Sequence, residues 1–231
     1  MSNPTELLEL MEGARNCVAC GVVKEGEEVL IWTDRSGKVD SFVIQAIIMA
    51  VEENGEKVTL VYDNPPEFRL GGPISRTVES MLRSADVTFQ TLGLRNAASI
   101  DNCYIFNILF EYDTRMVAVI APTRDRLASN WARFPLELAS AIYRKANAQL
   151  KDAPFRLTDP NGTDLSGRIM GWTGGVIPQG GPALRSGAWT FLPSGNVALH
   201  SESPVNGVVE RLSLDASAQP RQPGCKARPR H

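Results

Sequence analysis

The densest group of side chains able to do chemistry lies late in the chain. Asp164 follows Asn161-Gly162-Thr163, and Asn196, His200 and Glu202 surround a short apolar stretch. Imidazole and carboxylates bind divalent metals and carry protons, and alternate residues of a strand share one face. His200 and Glu202 are therefore candidate metal ligands, with Asp164 and Asn196 as candidate substrate-binding residues. The competing reading is an ordinary polar contact, because two ligands do not complete a metal site. Asn161-Gly162-Thr163 also fits a glycosylation acceptor, but without a secretory signal it reads as a turn.

Two further groups stand early. Cys17-Val18-Ala19-Cys20 has the spacing of a redox dithiol or of half a zinc site, yet Cys103 and Cys225 stand alone and supply no second pair. At helical spacing the two thiols lie on one face, where small apolar residues would serve equally, so they read as structural. Asp34 sits where a strand ends, which is where open α/β sheets bind ligands, although the commoner role of such a residue is to cap the next turn. The turn itself, Thr33-Asp34-Arg35-Ser36-Gly37-Lys38, carries neither a GxGxxG nor a GxxxxGK[ST] pattern, which disfavours a nucleotide site.

The elements that must position these residues follow from periodicity. Thr5 to Cys20 repeats apolar residues at helical spacing, and Val29-Leu30-Ile31-Trp32 is a continuous apolar run suited to a strand buried on both faces. Ser41 to Glu53 is helical again, with Asp40 or Ser41 as the N-cap and Asn54-Gly55 as the stop. Strands at Lys57 to Tyr62, Val87 to Leu92 and Met116 to Ala121 alternate with helices at Ser75 to Ser84, Arg124 to Trp131 and Leu136 to Leu150. Asn102 to Tyr112 has the aromatic content of a strand but helical spacing, and we read it as a helix. This order predicts an α/β fold, a doubly wound and mainly parallel sheet over residues 1–150. Beyond Pro154, Gly, Pro, Ser and Thr interrupt short apolar pieces, which predicts a partial, mostly β second domain over 151–212. Within it, Gly171 to Gly187 reads as a long loop, and strands are expected at Ala188 to Leu192, Asn196 to His200 and Gly207 to Arg211. Residues 213–231 hold almost no large apolar side chain and are expected to be disordered.

Composition narrows the partners. The 231 residues carry a formal net charge of −2 and are 43% hydrophobic, enough for a core and too acidic for a nucleic-acid surface. The opening stretch begins with acidic residues and lacks an unbroken apolar run, so neither a signal peptide nor a membrane anchor is expected. Few scattered cysteines fit the same picture of a cytoplasmic protein with free thiols. From Arg211 onward, five basic residues face the single acid Asp215, so the ending differs in charge from the acidic body.

The late segment FRLTDPNGTDLSGRI, a Gly-rich gap, and GAWTFLPSGNVALHSESPVNGVV together resemble one superfamily. It is shared by aminopeptidase T-like metallopeptidases and the iron-dependent 2,5-dihydroxypyridine 5,6-dioxygenases. The opening VVKEGEEVLIWTD, followed by a helix, is similar as well, so the resemblance runs from about residue 6 to 210. It implies Fe(II) and a small aromatic substrate if the chain is a dioxygenase. If it is a peptidase, the implied partners are a peptide and Zn, Co or Mg. The peptidases place a glutamate ligand directly after the glycine of a PxG element, where this sequence has Asn196. An amide lacks the charge of a carboxylate that bridges two metals, which favours the dioxygenase branch. That branch takes two histidines and a carboxylate from the later part of a longer chain, whereas the only histidines here are His200 and His231. The resemblance thus implies an incomplete member, its ending truncated or frameshifted after Val209. A non-catalytic binding domain or subunit, including a homo-oligomer, is the remaining reading.

Overall fold

Val29–Asp34 forms the interior strand β1, and every one of its residues is buried, as a strand covered on both faces requires. The computed structural model describes residues 4–63, 74–91, 102–150, 154–158, 160, 162–168, 182–184, 187–192 and 206–208. In chain order the elements are α1 (Pro4–Gly21), β1, α2 (Ser41–Glu52), β2 (Val58–Asp63), α3 (Arg76–Ser84) and β3 (Val87–Gln90). Then come α4 (Asn102–Glu111), β4 (Arg115–Val119), α5 (Arg124–Leu127), α6 (Leu136–Leu150), β5 (Pro154–Thr158), β6 (Asp164–Arg168), β7 (Trp189–Leu192) and β8 (Asn206–Val208).

Five strands build one parallel sheet in the order β2-β1-β3-β4-β7. Alternation along β1 sends Val29 and Ile31 to one face and Leu30 and Trp32 to the other. The first face is sealed by α1 and α2 through Leu10, Ala14, Cys17, Val43 and Ile47. The second is sealed by α3 and α4 through Val78, Leu82, Ile105, Ile108 and Leu109, with Met116 and Trp189 from the sheet. The expected α/β fold with a mainly parallel, doubly wound sheet is what the chain adopts. Asn102–Glu111 is helical, because Ile105, Ile108 and Leu109 recur at the spacing that one buried helical face requires.

Two close approaches fix the helices against the sheet. Gly13 lies where α1 meets α5, and a Cβ there would stand 1.9 Å from the Leu127 carbonyl oxygen. Arg115, at the start of β4, is buried and pairs with Glu27, and its Nη1 donates to the Val22 carbonyl at 2.5 Å. Val22 itself has φ of 51°, so the arginine secures a left-handed turn that ends α1.

Two expectations are corrected. The helix expected over Arg124 to Trp131 is a single turn that stops at Leu127. The Arg133 Nε donates to the Ala128 carbonyl at 2.9 Å and the Ser129 hydroxyl to the Arg126 carbonyl at 2.7 Å, local bonds that compete with a further helical turn. The strand at Trp189–Leu192, expected among the late β elements, is instead the fifth strand of the parallel sheet, paired with Met116–Val119. A separate antiparallel sheet, β5-β6-β8, takes two strands from the stretch between β4 and β7 and its third from after β7. The expected loop at Gly171 to Gly187 falls mostly outside the described residues. So do the strand expected at Asn196 to His200 and the ending from 213 onward. Among the described residues no helix is long and apolar enough to cross a membrane.

Candidate functional site at the carboxyl edge of the sheet

Renumbered by chain order, the parallel strands run 2-1-3-4-5, so the direction of winding reverses between β1 and β3. Crossovers on either side of that point leave to opposite faces, the arrangement in which open α/β sheets bind ligands at the carboxyl ends of their strands. The residues delivered there are Asp34 from β1, Asp63 from β2, and Gln90 and Thr91 from β3.

Asp34 and Asp63 are register partners on adjacent parallel strands. Their side chains therefore project to the same face, roughly 5 Å apart in backbone spacing. Asp34 is 5% exposed, and its Oδ1 accepts from the Ser36 amide at 2.9 Å and from the Ser36 hydroxyl in a shorter contact. This is an Asx turn, so the capping role read for Asp34 is present, and it also locks one carboxylate at the switch point. The Arg35 amide donates to the Asp63 carbonyl at 3.2 Å, holding the β1 and β2 ends in line. On the other side, the Thr91 amide donates to the Trp32 carbonyl at 2.8 Å, and Gln90 and Thr91 are buried.

The rim is tied down by α2. Asp40 caps it by accepting from the Phe42 amide at 2.9 Å, while the Asp40 amide donates to the Pro122 carbonyl at 2.8 Å, linking the β1–α2 turn to the end of β4. The Arg124 guanidinium lies over the Phe42 ring at 3.9 Å, with the Glu6 and Asp40 carboxylates each 3.8 Å away. Chemically this edge is rich in acceptors. Ionised carboxylates only accept, so it suits hydroxyl, ammonium or ring N–H groups.

The residues singled out in sequence are placed as follows. Asp164 opens β6 and is exposed, and Arg156 on the neighbouring strand donates to both its oxygens at 2.9 and 2.8 Å. That bidentate bond holds the Asp164 carboxyl below its usual range and raises Arg156. Asn196, His200 and Glu202 lie outside the described residues. Cys17 and Cys20 are buried and free, and burial pushes the Cys20 thiol up to about 12 and Cys17 well above its usual value. A thiolate there is disfavoured, as structural cysteines require. Among the described residues no three His, Cys, Asp or Glu side chains converge to hold a metal. Asp63, Gln90 and Thr91 were not singled out from sequence, because only strand register brings them to Asp34. An open groove of about 330 Å³ lies between the carboxyl ends of α1 and α2, at the opposite edge of the sheet, and Arg15 and Glu53 close it with an ion pair of 2.7 Å.

No family model matches the chain, and no curated protein matches it. Two solved structures are similar. The 2,5-dihydroxypyridine dioxygenase of Pseudomonas putida KT2440 superposes with a TM-score of 0.57 at 16% identity, over 82% of this chain and 55% of that one. Wild-type AmpT from Thermus thermophilus superposes with a TM-score of 0.49 at 15% identity, over 81% of this chain and 60% of that one. The likeness to the dioxygenase is one of fold. This chain spans a little over half the length of the proteins it is similar to.

Proposed function

We propose that this chain binds a small hydroxylated ring, of the dihydroxypyridine kind, at the carboxyl edge between β1 and β3, and serves ring-cleaving dioxygenase chemistry. The observation in its favour is the fold it shares with a 2,5-dihydroxypyridine dioxygenase over 82% of its length. The edge suits such a ligand: Asp34 is fixed by Ser36, Asp63 stands beside it, and ring hydroxyls and a ring N–H are the donors that carboxylates take. The Asp34 carboxylate held by Ser36 would orient the ring, with the buried β3 end beside it.

Iron(II), the metal of that chemistry, would activate oxygen. The described residues hold no ligand set that fits it, so no step is assigned to it. The remaining candidates, His200 and Glu202, lie in the late segment outside the described residues. The test is anaerobic reconstitution with ferrous iron followed by oxygen uptake in the presence of 2,5-dihydroxypyridine. Stoichiometric iron, and oxygen consumed in step with loss of the ring's absorbance, are expected. An iron-free protein that leaves both oxygen and ring untouched overturns the catalytic half of the reading.

A further inference from the structure

Helix α6, fifteen residues from Leu136 to Leu150, shows an apolar stripe to solvent. Leu138 is 49% and Ile142 54% exposed, four residues apart on one side, with Ala141 exposed between them. Isolated surface leucines need no explanation, but an aliphatic pair with a small residue beside it is the pattern of a helix–helix seam. Flanking the seam, Glu137 and Arg144 are both exposed and stand one heptad apart, on one stripe of the helix. Seven residues separate them by roughly 10 Å along the axis, too far to pair within one chain.

We infer that α6 docks antiparallel against α6 of a second copy of this chain, with Ala141 near the two-fold axis. An isologous interface must be self-complementary, and this stripe is. A two-fold between Ser140 and Ala141 places Glu137 of one copy beside Arg144 of the other, and the reverse pair forms by symmetry. The same axis brings Leu138 of each copy beside Ile142 of its mate, while Ala141 lets the backbones approach. A parallel pair would set the Glu137–Arg144 flank against the opposite flank of the mate, so that the two residues would not meet. The seam is one helix per copy, so the dimer is of the weak, concentration-dependent kind.

Sedimentation equilibrium of the full chain across a concentration series tests this, with circular dichroism confirming the fold of each variant. The wild type should pass from monomer to dimer. Glu137→Arg and Arg144→Glu, each alone, should raise the dimer dissociation constant by about tenfold, since each sets two like-charge pairs across the seam. The double reversal should restore it, because opposite charges face one another again. Ile142→Asp should leave a monomer. A wild type that stays monomeric throughout, or a dimer indifferent to the single reversals or not rescued by the double one, overturns the inference.

Discussion

Cys17 and Cys20 show how the same residue pair reads differently once its surroundings are known. The spacing alone allowed redox or zinc chemistry, but both thiols are packed into the face of α1 that meets the sheet. Burial, the larger cause for each, raises their affinity for the proton above the ordinary value of 9.0, Cys20 to about 12. Folding therefore favours the protonated thiols. Their contribution to stability is full below the ordinary thiol value and is lost as pH rises from there through the folded value. Denaturant titrations should give lower stability at about pH 10.5 than at about pH 8, and a Cys17→Ala, Cys20→Ala double variant should flatten that decline. Iodoacetamide at about pH 8 should leave both thiols of the native protein unmodified and label them in denaturant. At this scale the sequence carried Asp34 well, since a strand-ending aspartate followed by Arg-Ser-Gly is a turn signal. It could not carry Asp63, whose place beside Asp34 is a matter of strand register 29 residues away.

Elements were legible where burial imposes a period. The unbroken Val29-Leu30-Ile31-Trp32 run marked the interior strand β1, Asp40 marked the start of α2, and Ile105, Ile108 and Leu109 separated helix from strand in an aromatic-rich stretch. The helix expected through Trp131 stops at Leu127, where local side-chain bonds from Ser129 and Arg133 to the Arg126 and Ala128 carbonyls compete with a further helical turn. The same local physics sets two mutational outcomes. Gly13→Ala forces a methyl into the Leu127 carbonyl, a backbone atom that cannot rotate away, so α1 and α5 must part. A loss of about 3 kcal/mol is expected in chemical denaturation, against the small gain that Gly→Ala gives in an unobstructed helix. Asp40→Ala removes the cap of α2 while leaving its amide bond to Pro122, and should cost about 1 kcal/mol, with Asp40→Ser recovering most of it. A Gly13→Ala protein as stable as the wild type would show that α1 and α5 do not meet this closely.

For the whole molecule, the fold class followed from strands alternating with helices, but the edge strand β7 did not. It pairs with β4 across some seventy residues, with β5 and β6 of the antiparallel sheet in between, and its short Trp-Thr-Phe-Leu run carries no sign of which sheet it joins. Of the site, the late polar residues were visible as types, whereas the carboxyl edge between β1 and β3 arises from strand order. Strand order is a long-range property. The switch point of the sheet is therefore where the ligand site is proposed, and the ligand class in that proposal is taken from the similar dioxygenase structure.

The most direct test of that placement is calorimetric titration of 2,5-dihydroxypyridine into the iron-free protein and into Asp34→Asn, with Arg156→Ala as a control in the β5–β6 ion pair of the separate antiparallel sheet. Asparagine keeps the turn with Ser36 but loses the charge that a ring hydroxyl meets. The wild type and the control should bind alike, and Asp34→Asn should bind about tenfold or more weakly, the worth of a charge-assisted hydrogen bond. Absence of binding by the wild type, or binding undiminished by Asp34→Asn, would contradict a ring site at the β1–β3 edge.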